Sequence, residues 1–233
     1  MRASDPAEEA PGLWLLIGNS RWHWARGSLD QWRCWSVAPG AEAGPGHAPT
    51  AWAAVGPVAA QSGLDPTTRL GLKQVPLVAA PPWLGVDRAL VGWQAWQQSA
   101  GPVLVADAGT ALSLTRVGGD GRFAGGRILA GAALQWRALA AATAQLPTLP
   151  ASCGQLPADP WPHDTAEAIR SGVLRGLAAA VELAWREACR LSPGCSLWIT
   201  GGDGAELAAL LGRDAEPDLA LRALARLRPA PGR

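Results

Sequence analysis

The sequence contains very little lysine, since Lys73 is the only one among its 233 residues. A P-loop needs a lysine directly after its glycines, in the pattern GxxxxGK[ST], and Lys73 is preceded by Leu72 and followed by Gln74. The pattern GxGxxG of dinucleotide-binding folds is also missing, because the glycines near residues 118 and 201 have a different spacing. Any nucleotide site in this chain must therefore be built from other backbone turns.

Clustered basic residues are absent as well. The chain has 20 basic and 19 acidic residues and a formal net charge of +1, and its arginines are spread without a run and without interleaved aromatic residues. Nucleic-acid-binding proteins usually carry a concentrated basic face. We therefore expect no nucleic-acid partner.

Closely spaced cysteine pairs and long apolar runs are missing too. The four cysteines form no CxxC pair, the arrangement that structural zinc sites favour, and we expect them to be reduced thiols: Cys34, Cys153, Cys189 and Cys195. Residues 1–11 are polar and acidic, without the apolar core of a signal peptide. No apolar run reaches the roughly 18 residues of a membrane span. These absences predict a cytoplasmic protein that has no membrane partner.

Tyrosine is absent, and phenylalanine and methionine occur once each, whereas tryptophan occurs 13 times. With 48% hydrophobic residues, the chain is able to bury a core. We interpret the tryptophans as filling core positions that phenylalanine or tyrosine hold in other proteins, and not as a ligand cage.

Short apolar runs alternate with helical patterns, which favours the α/β class. Strands are predicted over residues 13–17, 21–25, 70–78, 102–106, 111–117 and 196–200, with another short strand beginning at Gly125. Helices are predicted over residues 88–98 and 132–144, from the cap residue Asp164 to about residue 190, and once more after Gly204. A loop with a short helix is predicted over 39–57, and a proline-rich loop over 146–162.

Two segments share one layout, LWLLIGNSRWHW at 13–24 and VLVADAGTALSL at 103–114. Each has an apolar strand, a glycine followed by asparagine or threonine, and a second strand. Such self-similarity predicts two related halves, at 13–101 and 102–233, after a disordered tail at 1–12. The alternative is two unrelated tight hairpins. Two such turns facing each other across a cleft are able to hold a triphosphate by their backbone N–H groups.

The tetrapeptide Gly85-Val86-Asp87-Arg88 opens the helix predicted at 88–98. An arginine at a helix start offers five fixed donors to a carboxylate. The adjacent aspartate is able to accept a proton from a hydroxyl. The alternative for Asp87 is a simple helix cap, a common role of aspartate.

Four motifs in order carry a family resemblance: G-x-D-R at 85–88, D-x-G-T-A at 107–111, G-G-x-I at 125–128 and T-A-x-L-P at 143–147. Together with IGNSRWHW and WITGGDG, they make the chain resemble type III pantothenate kinase from residue 13 to about residue 212. The resemblance implies a duplicated actin-like ATPase fold, of the ribonuclease H-like kind, with two halves around a nucleotide cleft. It also implies a homodimer that uses ATP to phosphorylate pantothenate to 4′-phosphopantothenate, the first step of coenzyme A biosynthesis.

The resemblance also implies roles for particular residues. Those expected to contact pantothenate are Gly85, Val86, Asp87, Arg88 and Thr165, and Asp87 is the expected base for the hydroxyl proton. Those expected to contact ATP phosphates are Gly18, Asn19, Ser20 and Thr110. Asp107 is expected to bind a monovalent cation, potassium or ammonium, and Mg²⁺ is expected to come with ATP. Asp107 is also a candidate for the base, and Asp87 ranks ahead of it only on the resemblance.

Two positions depart from the family pattern. Leu16 occupies the place of the aspartate that usually begins the first turn and helps to organise Mg²⁺, and leucine has no oxygen ligand to offer. The tyrosine that usually precedes G-x-D-R has no counterpart, and Trp83 lies in that stretch. Leu16 keeps open a second hypothesis, a non-catalytic ATP-binding protein with a regulatory or accessory role. A third, another small-molecule kinase of the same fold, is disfavoured by the G-x-D-R element.

Overall fold

The structure is a computed structural model that describes residues 11–28, 31–39, 48–56, 58, 62–150 and 156–230. Cys153 and residues 1–10 of the predicted tail lie outside these ranges. The chain divides into two compact units. Of the described residues, those within 1–76, 81–90 and 220–233 form the first, and those within 77–80 and 91–219 form the second.

The first unit contains a four-stranded sheet formed by β1 (Gly12–Ile17), β2 (Trp22–Gly27), β3 (Trp32–Val37) and β4 (Ala51–Ala54). The strand order is β3-β2-β1-β4, with β1 antiparallel to β2 and parallel to β4. Every residue of β1 is buried, which explains why its sequence is a continuous apolar run without polar alternation.

The second unit repeats this arrangement with β5 (Val103–Ala108), β6 (Ala111–Val117), β7 (Phe123–Ala130) and β8 (Ser196–Thr200). The order is β7-β6-β5-β8, again with the first strand antiparallel to the second and parallel to the fourth. Because four strands repeat with one pairing scheme, the predicted α/β class and the internal duplication are confirmed. The boundary predicted at residues 101 and 102 separates the sheets but does not coincide with the units, and it stays a prediction.

The described helices are α1 (Val86–Ser99), α2 (Ala132–Ala142), α3 (Thr165–Leu191), α4 (Gly204–Leu211) and α5 (Leu219–Leu227). The predicted cap of α3 is confirmed, because the Asp164 carboxylate accepts a hydrogen bond from the Glu167 N–H at 3.0 Å. The apolar residues of α3 recur every three or four positions and join the core of the second unit, among them Val173, Leu174, Leu177 and Val181. None of the helices described combines the length and apolar composition that crossing a membrane requires.

Helix α5 follows the second unit in the sequence, but from residue 220 onward it belongs to the first unit. The Trp14 indole N–H on β1 donates to the backbone oxygen of Arg228 at 2.8 Å. The Arg222 guanidinium lies 5.5 Å from the centroid of the Trp32 ring on β3. Trp14, Trp24 and Trp52 are buried core residues of this sheet, in agreement with their sequence-based interpretation.

Three secondary-structure predictions are wrong. The strand predicted at 70–78 is instead an irregular segment with a 3-10 helix at Leu72–Gln74, because Pro76 has no N–H for a sheet ladder. The short helix predicted within 39–57 is replaced by β4 in the described part of that range; pairing with buried β1 outweighs the helical propensity of its alanines. The helix predicted after Gly204 is two helices, because Gly212 has a φ of +61° and ends α4.

Candidate active site

The first predicted phosphate turn joins β1 to β2. The Gly18 N–H donates to the Arg21 backbone oxygen at 2.9 Å, which closes the turn. A Cβ on Gly18 would lie 3.1 Å from that same oxygen, so the turn favours glycine here. Asn19 and Ser20 are exposed at its tip, where a ligand has access to them.

Leu16, where the chain departs from the family pattern, lies between residues of two neighbouring strands. Leu16 is buried and pairs with His23 on β2 and Ala53 on β4. Nδ1 of His23 lies 2.8 Å from the Ser36 hydroxyl oxygen. Burial and, to a smaller extent, the nearby Arg21 charge lower the pKa of His23 below its usual value. The imidazole is therefore predominantly neutral at physiological pH.

The predicted pantothenate element lies at the start of α1 in the first unit. The Ala89 N–H donates to the Gly85 backbone oxygen at 3.1 Å, so Gly85, directly before Val86, accepts the first hydrogen bond of the helix. A Cβ on Gly85 would overlap Oδ1 of Asp87, so the absence of a side chain at position 85 makes room for the carboxylate. Val86 is buried and faces away from solvent.

Asp87 combines a buried carboxylate oxygen with a raised pKa. Its Oδ1 is buried and has no hydrogen-bond partner within the described part of the chain. Burial raises the pKa of Asp87, and the Arg88 N–H and the Arg88 charge oppose this effect without cancelling it. A simple cap would have its oxygens satisfied by backbone N–H groups, so the unpartnered oxygen favours a ligand-facing role.

Arg88 is only 8% exposed, although it carries a charge. Burial lowers the pKa of Arg88, and the charge of Asp87 opposes this shift. An arginine pKa starts so high that the guanidinium stays protonated at physiological pH. The first turn of α1 therefore carries a carboxylate with a buried oxygen, at Asp87, and a buried guanidinium, at Arg88.

The second predicted phosphate turn joins β5 to β6 in the second unit. The Gly109 N–H donates to the Ala111 oxygen at 3.1 Å, and the Thr110 oxygen accepts from the Gly131 N–H at 3.0 Å. The Asp203 N–H donates to the Ala108 oxygen at 2.9 Å, which fixes the glycine turn after β8 beside this turn.

Asp107 lies at the end of β5, next to that glycine turn. A Cβ on Gly201 would be 2.6 Å from Asp107 Oδ1, so the carboxylate touches the turn backbone. Asp107 pairs with Ser113 on β6 and Thr200 on β8, both of which are buried. The structure thus brings Asp107, Thr110 and the glycine turn together in one unit.

Thr165 is the first residue of α3, and its side chain is exposed beside the cap residue Asp164. Gly18, Asn19, Ser20 and residues 85–88 belong to the first unit, whereas Asp107, Thr110 and Thr165 belong to the second. The His23–Ser36 pair was not predicted. The turn at 18–21 places position 23 opposite position 16, but the contact with Ser36 also depends on the register between β2 and β3.

A metal ion at this site would need ligands beyond protein side chains. No group of three or more His, Cys, Asp or Glu side chains within the described residues is arranged to hold one. Mg²⁺ is commonly bound by one or two carboxylates together with waters and substrate phosphates. Asp107 beside a phosphate turn fits an ion that arrives with ATP, and it does not fit a closed protein cage.

Comparison with protein families gives a match to the model for type III pantothenate kinase over residues 27–187. A type III pantothenate kinase from Synechococcus elongatus is 38% identical, and the alignment covers 94% of this chain and 96% of the relative. One from Synechocystis sp. is 37% identical, with 94% of this chain and 88% of the relative covered.

Solved structures agree with this fold. A conserved protein from Campylobacter jejuni, assigned to the Baf family of transcriptional activators, matches with a TM-score of 0.60 and 20% identity, over 92% of this chain and 96% of that one. The activator of 2-hydroxyisocaproyl-CoA dehydratase from Clostridium difficile, with bound ADPNP, matches with a TM-score of 0.52 and 12% identity, over 93% of each chain. At these identities the likeness shows the fold alone, and the predicted duplicated actin-like ATPase fold is confirmed.

Proposed function

The chain belongs to the type III pantothenate kinase family, and from this premise we propose that Asp87 is the base and Arg88 the carboxylate partner of its reaction. The family reaction is the transfer of the γ-phosphoryl group of ATP to the hydroxyl of pantothenate, in the biosynthesis of coenzyme A. The observation that carries the proposal is the buried, unpartnered Oδ1 of Asp87 beside the buried guanidinium of Arg88.

Asp87 accepts the proton that the pantothenate hydroxyl loses as its oxygen attacks the γ-phosphorus. The O–H bond breaks, the new O–P bond forms, and ADP leaves with the electrons of the old P–O bond. Burial raises the pKa of Asp87 toward the working pH, which improves a carboxylate as a base. A base in position typically contributes about 10² to 10⁴ in rate.

Arg88 binds the carboxylate of pantothenate. A charge-assisted hydrogen bond of this kind contributes about 1.5 to 3 kcal/mol, and a guanidinium fork is able to form two in parallel. Gly85 and Val86 shape the backbone around the substrate, and the exposed Thr165 hydroxyl is a further contact. The need to bind the carboxylate of pantothenate explains why a buried arginine follows Asp87 directly.

ATP phosphates are held by the two turns, through Gly18, Asn19 and Ser20 in the first and Thr110 in the second. Asp107 is the protein ligand for a monovalent cation, potassium or ammonium, and Mg²⁺ accompanies ATP. When bound, these cations neutralise phosphate charge, which is the main requirement of phosphoryl transfer beyond alignment. The position of Asp107 beside the glycine turn supports this role over that of a base.

We also propose a homodimer that works in the cytoplasm, where ATP is available. Exposed apolar side chains on α3 and on the loop before it support an interface there: Trp161, Leu183 and Leu191. Light scattering coupled to size-exclusion chromatography measures the mass directly. A monomer at micromolar concentration would contradict the dimer.

The proposal is tested by a coupled kinase assay with pantothenate, ATP, Mg²⁺ and potassium. Asp87→Asn should lower kcat by at least about a hundredfold and leave pantothenate binding largely intact, since only the proton acceptor is lost. Asp120→Asn, at an exposed turn carboxylate, is the matched control. A near-normal rate for Asp87→Asn would rule Asp87 out as the base.

The assay also separates the kinase from the accessory-protein hypothesis, which Leu16 keeps open. If wild-type protein binds ATP but does not phosphorylate pantothenate, the accessory function replaces the catalytic one. Comparing Asp107→Asn in potassium and in sodium separates the two aspartates, because a cation ligand changes the cation dependence and a base does not.

A further inference from the structure

Two cysteines meet where α3 ends and β8 begins, within the second unit. Cys189 belongs to the last turn of α3 and is half-buried, whereas Cys195 directly precedes β8 and is only 5% exposed. Both are free thiols in the structure. Although the chain has no CxxC pair, the turn between α3 and β8 brings these two cysteines into contact, and neither has a role in the proposed phosphoryl transfer.

A direct hydrogen bond joins the two cysteines. The Cys189 S–H donates to the backbone oxygen of Cys195 at 3.5 Å, and the Cα that carries the Cys195 side chain is two bonds from that oxygen. The Cys195 S–H makes only a long contact, at 3.9 Å, with the Ser196 oxygen. The turn between the two residues contains Gly194, with a φ of +81° and open space around it. Rotation of the side chains and a small adjustment of this turn therefore suffice to bring the sulfurs to bonding distance.

The Cys195 carbonyl does not depend on the Cys189 proton. Its oxygen accepts a second hydrogen bond, from the Trp185 indole N–H at 3.0 Å. When Cys189 loses its S–H, this carbonyl therefore keeps a donor and is not left as a buried polar group without a partner. Oxidation of Cys189 thus carries no penalty of this kind at the start of β8.

The surroundings of the two sulfurs give them different reactivity. Burial and the neighbouring Cys189 thiol raise the pKa of Cys195, and the charge of Arg116 on β6 opposes this shift. The Arg116 guanidinium also donates to the hydroxyl of Ser192, the residue that follows α3, at 3.4 Å. Because Cys195 is buried and Cys189 is open to solvent, a dissolved oxidant reaches Cys189 first.

We propose that Cys189 and Cys195 form a reversible disulfide when the protein meets hydrogen peroxide, with Cys189 as the sulfur that is oxidised and Cys195 as the sulfur that resolves it. The Cys189 thiolate attacks one peroxide oxygen, the O–O bond breaks, and Cys189 becomes a sulfenic acid while the other oxygen leaves as hydroxide and takes up a proton to become water. The Cys195 sulfur then attacks the Cys189 sulfur, and the S–S bond forms as the sulfenic hydroxyl leaves with the Cys195 proton as water. The two thiols together supply the two electrons that reduce one peroxide, and a dissolved thiol reverses the reaction.

Peptide mapping by mass spectrometry tests the proposal on the full-length protein and requires no turnover. Trypsin cleaves after Arg190, which lies between the two cysteines, so Cys189 falls in the peptide 187–190 and Cys195 in the peptide 191–213. After treatment with hydrogen peroxide, alkylation and digestion without reductant, the main form of both peptides should be a linked pair, lighter by two hydrogen atoms than their sum. Dithiothreitol added before alkylation should give the two peptides separately, and non-reducing electrophoresis should show a single chain.

Single substitutions test the order of the two steps. In Cys195→Ser the sulfenic acid of Cys189 has no thiol beside it, so peroxide should carry Cys189 on to the sulfinic acid, with two added oxygen atoms. The matched control is Cys34→Ser, which removes an exposed thiol on β3 and should leave the linked pair unchanged. Wild-type peptides that stay separate after peroxide, or a linkage between two chains, would overturn the proposal. A Cys195→Ser protein in which Cys189 stays an unmodified thiol would overturn the assigned order of oxidation.

Discussion

Gly201 supports the sharpest prediction about how the second unit positions Asp107. Its φ is +94°, and a Cβ would overlap the Ala108 oxygen and lie 2.6 Å from Asp107 Oδ1. A left-handed backbone costs an L-residue about 1 to 2 kcal/mol, and forcing an extra methyl into packed atoms costs about 1 to 3 kcal/mol. Gly201→Ala should therefore lose roughly 2 to 5 kcal/mol of a total stability of about 5 to 15 kcal/mol.

Thermal unfolding followed by circular dichroism measures this loss, at about 2 to 4 °C for each kcal/mol in a chain of this size. The neighbouring Gly202→Ala is the control, because a Cβ there meets nothing within 4 Å. The Gly201 variant should also raise the KM for ATP, since relief of the clash displaces Asp107. Equal melting temperatures for the two variants would refute the argument from close approach.

Three further predictions follow from single residues. Burial raises the folded-state pKa of Asp87 above its ordinary 3.8, so the folded chain binds more protons between the two pKa values and loses stability as pH rises through that interval. Asp87→Asn should therefore be more stable than wild type above this interval and equal to it below, as denaturant titrations across pH would measure. Asp164→Ala removes the cap of α3 and should cost about 0.5 to 2 kcal/mol in the same titration at neutral pH. Leu16→Asp places a carboxylate opposite His23 and should raise the pKa of His23 in an NMR titration, and an unchanged pKa would contradict the cross-strand pairing.

Elements with a strong local signal were predictable from the sequence. Asp164 with Glu167 marked the start of α3, and Gly18 and Gly109 marked the two hairpins whose strands follow at once. The strands β3 and β4 were missed, because the pattern of β3 is irregular and β4 has an alanine-rich sequence typical of helices. Their pairing is set by neighbours distant in sequence, which single-sequence patterns do not contain.

The residues of the candidate site were predictable from the sequence, but their burial and their contacts were not. The motifs identified Asp87 and Asp107 and left open which of them is the base. The burial of Asp87 Oδ1 depends on how the loop at Gly85 packs, and the placement of Asp107 depends on the turn after β8. The His23–Ser36 contact requires the register of three strands, which spacing along the chain does not give.

Helix α5 imposes an order on the biosynthesis of this fold. Because the ribosome makes the chain from its N-terminus, residues 91–219 emerge before the α5 residues that complete the first unit. When the second unit has been translated completely, the α5 segment that contacts Trp14 and Trp32 has not yet been made. The half that is translated first therefore lacks one of its own helices until the end of synthesis, and the contacts of Trp14 and Trp32 with that C-terminal segment form only then.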